Sequence, residues 1–257
     1  MVNNQEPDTR KTTQTSLYIL ESIKELGGGT LSEIADEAGL PASTLHTHLR
    51  TLEESEYIVR SDGTYYLGMK LFHFGEHARL RDARFRIARQ TAAELADKVS
   101  EEVNFAIEEY GRSIILFDET STGHREEFQV GRYFHMHSSA SGKAMLAEYP
   151  ESRVHDIIDR HGLPGHTENT ITSTDRLFEE LERVRERGYA LNRQEELDGL
   201  RAIAMVVTEP GGDVFGTLDI SGPAYRLPDD ADVAAQLEPY VEDLEAALEE
   251  YAANEGR

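Results

Sequence analysis

Residues 34–60 read IADEAGLPASTLHTHLRTLEESEYIVR, and the breaks and apolar spacings in this stretch decide what kind of domain it builds. Gly39 ends a short helical pattern, LSEIADEA, which Thr30 can cap and which places Leu31, Ile34 and Ala35 on one face. Pro41 suits the first turn of the next pattern, ASTLHTHLRTLEES, because an N–H lost there has no helical partner anyway. Within that pattern Leu45, Leu49 and Leu52 form a stripe to be buried. Two β-rich runs follow, Tyr57 to Arg60 and Thr64 to Leu67, around Asp62-Gly63, a pair suited to a two-residue hairpin. Upstream, Leu17, Leu20, Ile23 and Leu26 recur at helical spacing from Ser16, after an expected flexible arm over Met1 to Thr13, until Gly27-Gly28-Gly29 stops them. Three helices and a hairpin, in that order, make a winged helix-turn-helix.

The third helix turns a polar face away from its leucines. Ser43, Thr47 and Arg50 lie on it, with His46 at its flank, Thr44 near the N-terminal end and Arg60 on the hairpin. Hydroxyls, an imidazole and guanidinium groups are the donors and acceptors that read base edges or hold phosphates in a major groove. A merely solvated face is the plain alternative. Against it, no Asp or Glu occurs from Gly39 to Leu52, in a chain where 49 of 257 residues are acidic. These six residues are therefore expected to contact double-stranded DNA.

The chain carries a formal net charge of −23. From Ser16 to Gly68 nine acidic residues stand against three basic ones, so the domain is acidic although its contact face is not. An acid excess spread over the whole length, with only five Lys among 26 basic residues, suggests a halophilic origin; an ordinary acidic bacterial protein is the alternative. In concentrated salt, counterion release adds little to affinity, so acidity does not forbid DNA binding. Cysteine is absent, which excludes disulfides and thiolate metal sites. The polar N-terminus lacks the core of a signal peptide, and no apolar run nears the ~20 residues that span a bilayer, so a soluble cytoplasmic protein is expected.

Beyond the hairpin the texture changes, and the expected domains are residues 10–70 and 71–254. Lys70 to about Ser100 reads as one long linker helix with five Arg in its middle. Then come two β-rich runs about Gly111, two short helices broken at Pro150, and an amphipathic helix from the Thr-Ser-Thr-Asp start to Gly188. A second hairpin turns at Gly211-Gly212, and a last amphipathic helix ends the chain. Antiparallel strands mixed with short helices predict an α+β domain.

His137-Ser138-Ser139-Ala140-Ser141-Gly142-Lys143 lacks the early glycine and the final Ser or Thr of a phosphate-binding loop, and Ala140 spoils a Ser-x-x-Lys pair. What remains is a small-residue turn opening a helix, whose free N–H groups suit a carboxylate, or simply a tight packing turn. On the strand Thr217 to Ser221, Asp219 and Ser221 share one face while Leu218 and Ile220 share the other. His135 and His137 are two apart and could begin a metal site with His124, but no metal and no other cofactor is expected. No nucleophile, base and orienting group assemble, so no catalytic residue is assigned. An enzyme with an accessory helix-turn-helix stays as the alternative function, and a bare oligomerisation module as a third.

Four blocks, EIADEAGLPASTLHTHLRTL, HSSASGKAMLAEY, TSTDRLFEELERVRERGYALNRQEELDGLRAIA and GTLDISGP, resemble the isocitrate lyase regulator (IclR) family of transcription factors, in order and over nearly the whole chain. The resemblance implies a GAF-like effector-binding domain with an antiparallel sheet, a small catabolic metabolite as effector, and a dimer or dimer of dimers on a double-stranded operator. By position it places Ala140, Ser141 and Gly142 on the pocket floor. It also places there Asn192 where Asp is common, Ala202 where Cys is common, Asp219 where Ser is common, and a matching Ser221. With these departures the effector itself does not carry over; an acid beside backbone donors favours a polyhydroxy acid or a sugar.

Overall fold

A computed structural model describes residues 9–121 and 130–255. The chain divides into two compact units, one ending at Arg81 and one beginning at Asp82.

The first unit runs α1 (Lys11–Glu25), β1 (Gly29–Thr30), α2 (Leu31–Ala38), α3 (Ala42–Glu54), β2 (Ile58–Ser61), β3 (Thr64–Leu67) and α4 (Met69–Arg79), and its three antiparallel strands lie in the order β1-β3-β2. Thr30 starts α2 through a capping box: its hydroxyl accepts from Glu33 N–H while its own N–H donates to the Glu33 carboxylate at 2.8 Å. Gly39 closes α2 in the left-handed conformation that costs glycine least. The wing turns on Asp62 and Gly63, both at positive φ, the geometry of the tight hairpin expected there. Ile19, Ile23, Ile34, Leu45, Leu49, Leu52, Ile58 and Tyr65 fill one core.

Two details of α1 differ from the sequence reading. The helix begins at Lys11, inside the expected arm, because Thr15 and Ser16 return their hydroxyls to the carbonyls of Lys11 and Thr12 and so fit within a helix. Its buried stripe runs through Ile19, Ser22 and Ile23, with Leu20 half-buried, while Leu17 and Leu26 face outward.

The expected single linker helix is two helices. Asp82 accepts a hydrogen bond from the Arg84 backbone N–H at 2.9 Å, a local bond that competes with continuing the helix, and α5 (Arg84–Ala96) starts there afresh. Helix α4 packs within the first unit: Phe74 stacks on Tyr57, and Lys70 donates to the Ser55 carbonyl at 3.0 Å and lies over the Tyr57 ring. The contacts therefore thin out after Arg81 and not after residue 70.

The second unit continues from α5 with β4 (Glu102–Glu109), β5 (Arg112–Glu119), β6 (Tyr133–His135), α6 (Ala140–Glu148), α7 (Glu151–His161), α8 (Thr174–Arg187), β7 (Ala190–Arg193), β8 (Leu200–Thr208), β9 (Val214–Pro223) and α9 (Asp230–Glu255). Its strands form one antiparallel sheet in the order β6-β5-β4-β9-β8-β7. Alternation sorts the side chains. Val103, Phe105, Leu218 and Ile220 join α5 and α9 in one core, and Ala190, Ala202 and Ala204 join α6, α7 and α8 in the other. The short strands β6 and β7 were not expected from the sequence.

Candidate DNA face and ligand cavity

The recognition helix is built as its pattern dictates. Leu45, Leu49 and Leu52 are buried, and Ser43, Thr44, His46, Thr47 and Arg50 are all exposed, as is Arg60 on the wing. Ser16 Oγ lies 2.8 Å from His48 Nδ1 and ties α1 to this helix. Arg50 pairs with Glu54 at 3.0 Å, but both side chains are largely solvated, so the pair is weak and yields readily to a phosphate or base. Arg60 lies over the Tyr65 ring opposite it in the wing, which limits where its guanidinium can reach.

In the second unit, strand register assembles the polar site. Pairing of β4 with β9 sets Glu102 opposite Ser221 and Asn104 opposite Asp219. Pairing of β9 with β8 sets Ser221 opposite Ala202, and β8 with β7 sets Ala202 opposite Asn192. Residues far apart in sequence thus form rows across one face. The first turn of α6 lies over these rows: Ser141 Oγ donates to Asp219 Oδ2 at 2.7 Å, and Asn104 Nδ2 donates to Asp219 Oδ1 and to Ser221 Oγ, each at 3.0 Å. Burial pushes the Asp219 carboxyl up to about 6, against the bonds from Asn104 and Ser141 that favour its charge.

A cavity of about 410 Å³ opens here, and Ala140, Ser141, Asn192, Ala202, Asp219 and Ser221 all line it. Gly142 does not. A Cβ on it would lie 2.3 Å from the Met136 carbonyl oxygen, so it lets α6 press against that backbone. Glu102, Asn104, Ser113, Arg132, Phe134 and Glu196 also line the cavity and were not singled out from the sequence. A signal existed for two of them: Glu102 and Asn104 alternate with the apolar Val103 and Phe105.

Lys143, beside the floor, is 1% exposed and pairs with buried Glu195; burial holds its ammonium below the usual range. The pair ties α6 to the segment that carries Glu196 and Leu197 over the cavity. The same segment is held by Thr170, which donates to the Glu195 carbonyl at 2.6 Å, and by Asn192, which accepts from the Glu195 N–H at 2.9 Å. His135 ends β6, whereas His137 lies in the turn after it; the two rings are 5.6 Å apart. No group of three ligating side chains among the described residues could hold a metal ion, and His124 lies outside those residues. Nor is any helix among them long and apolar enough to cross a membrane.

Comparison with known proteins accounts for both units. The model of the IclR helix-turn-helix domain matches residues 15–62, and that of the bacterial transcriptional regulator IclR C-terminal domain matches residues 82–250. A probable HTH-type transcriptional regulator, ArcR of Halobacterium salinarum, is 32% identical over 232 residues, 88% of either chain. The transcriptional repressor IclR of Escherichia coli is 32% identical over 83% of this chain and 80% of its own. Among solved structures, the IclR of Thermotoga maritima aligns with a TM-score of 0.74 at 25% identity, covering 92% of this chain and 98% of that one. An IclR homologue of Microbacterium hydrocarbonoxydans, complexed with 4-hydroxybenzoate, shares the fold at 23% identity, with a TM-score of 0.74 over 93% and 99% of the two chains. These relatives are regulators, which sets aside the alternative of an enzyme with an accessory helix-turn-helix. The chain belongs to the IclR family of DNA-binding transcription regulators.

Proposed function

We propose that this regulator reads its operator with the exposed face of α3 and with Arg60 of the wing, and that a small effector in the 410 Å³ cavity adjusts operator affinity. One observation carries the effector reading: the register that pairs β7, β8, β9 and β4 gathers Asn192, Ala202, Asp219 and Ser221, and the first turn of α6 adds Ala140 and Ser141 around the same space. The ligand class follows from the wall. The N-terminal turn of α6 and Arg132 suit a carboxylate, while Asp219, Asn192 and the serine hydroxyls suit hydroxyl groups, which favours a polyhydroxy acid or a sugar. A second reading, an aromatic hydroxy acid, is favoured by the apolar part of the wall, Ile115, Phe134, Leu197, Leu200 and Pro223.

The working species is a dimer or a dimer of dimers in the cytoplasm. Support comes from α4, which buries no residue and leaves Met69 83% and Phe72 66% exposed, a surface that a second copy would cover. In a dimer, each α3 enters one major groove of a pseudo-palindromic site. The acidic coat fits a high-salt cytoplasm. Calorimetry in molar salt with sugar acids, sugars, hydroxybenzoates and simple oxo-acids tests the cavity. Binding of a hydroxylated acid that Asp219→Ala weakens supports the reading; binding of oxo-acids alone defeats the ligand class. Effector-free operator affinity should stay near wild type in that variant.

A further inference from the structure

Among the described residues, four histidines gather in one cluster. His135 is the hub: its ring centroid lies 5.6 Å from that of His137, 6.3 Å from His161 and 5.4 Å from His166. His137 and His166 stack at 6.2 Å. Two members are held by backbone carbonyls: His137 Nε2 is 3.0 Å from Pro164 O, and His161 Nε2 is 2.6 Å from Tyr110 O. Glu196 joins the cluster to the cavity. Glu196 lines the cavity, accepts from Ser138 Oγ at 2.5 Å, and lies 3.8 Å from His166 Nε2. Other charges facing the cluster are Arg112, which pairs with His135 across β5 and β6, and Lys143, already matched by Glu195.

We propose that these four imidazoles form a proton-sensing element that sets, through Glu196, how much anionic charge the cavity accepts. This rests on the reading that the cavity holds the effector. With the cluster neutral, Glu196 presents a negative charge to any ligand carboxylate and repels it. An imidazolium at His166, the exposed member of the cluster, offsets that charge across 3.8 Å. An anionic effector then binds more tightly, and its binding takes up a proton. Half-buried His135 and buried His137 resist charging. Desolvation holds His135 low, with Arg112 adding to it, and takes His137 down to about 4. Histidine is the side chain whose charge changes within the physiological range, which suits the cluster to this role.

Asp219 titrates in the same range from inside the cavity, so the test must separate the two. Full-length wild type, Glu196→Gln and His166→Gln are compared, with D-gluconate as the probe, an anion whose carboxylate stays ionised near both pH 5.5 and pH 8. His166→Gln keeps both Asp219 and Glu196. Acidification should tighten gluconate binding about tenfold more in wild type than in either variant, with extra proton uptake seen by calorimetry in buffers of different ionisation enthalpy. In parallel, NMR titration of the His135 ring should show its midpoint lower in Glu196→Gln than in wild type, since Glu196 favours the charged ring. Equal gains on acidification in wild type and His166→Gln would overturn the proposal, as would an unmoved His135 midpoint. If gluconate fails to bind at any pH, the ligand reading of the cavity falls, and the His135 midpoint still decides the coupling.

Discussion

The two polar surfaces of this regulator are built by opposite rules. The face of α3 is a row of exposed side chains on a helix whose other side supplies the core, so its members contribute little to folding. In the cavity, Asn104, Ser141 and Asp219 are themselves buried and hydrogen-bonded to one another, so the binding wall is part of the fold. A surface of the first kind can change its sequence preference without risking stability. A surface of the second kind changes ligand and stability together.

The largest expected effect tests that coupling at the cavity floor. Gly142→Ala places a methyl 2.3 Å from a backbone oxygen that cannot move aside, so the second unit should lose about 3 kcal/mol or more. Chemical denaturation would show it, and a loss under about 1 kcal/mol would mean that α6 is free to shift. The first unit should keep its own transition.

Next comes pH. Asp219 has a folded-state value of about 6, raised above the value of 3.8 expected for the unfolded chain. Its contribution to stability is therefore fully present below 3.8 and is lost as pH rises through about 6. Relative to Asp219→Asn, wild type should lose about 2 kcal/mol between pH 4 and pH 8, which paired denaturation curves would reveal. Parallel pH profiles for the two proteins would show that the carboxyl is not held in a dry network.

On the other surface the effects should fall on binding alone. Arg50→Ala and Thr47→Ala should each weaken operator binding by roughly 1–3 kcal/mol while stability stays within about 0.5 kcal/mol. Unfolding of either variant would erase the contrast between the two surfaces, and unchanged affinity in both would remove the recognition face.

The smallest effect concerns salt. Only Arg50 and Arg60 supply fixed cations on the proposed contact face, four in a dimer, so the log–log slope of affinity against salt should be no steeper than about −4. A much steeper slope, measured by anisotropy across a salt series, would point to phosphate contacts elsewhere in the chain.

The sequence by itself determined what depends on neighbours a few residues apart. The stop at Gly39, the cap at Thr30, the leucine stripe of α3 and the hairpin at Asp62-Gly63 are local events, and each stands where its residues predict it. The split of Asp219 and Ser221 from Leu218 and Ile220 was equally legible, because alternation along a strand is fixed by backbone geometry. Local pattern misled where a side chain competes with the backbone, at Thr15, Ser16 and Asp82, and it overcounted the core face of α1. Register could not be read at all. Nothing near Asn104 states that it will face Asp219, because that pairing is chosen by the apolar side chains of both strands as they pack on α5 and α9. The depth of Lys143 and the gathering of four histidines have the same origin. Tertiary packing alone brings together groups from β6, α6, α7 and the segments around Pro164 and Glu195, and charge and solvation follow from that placement.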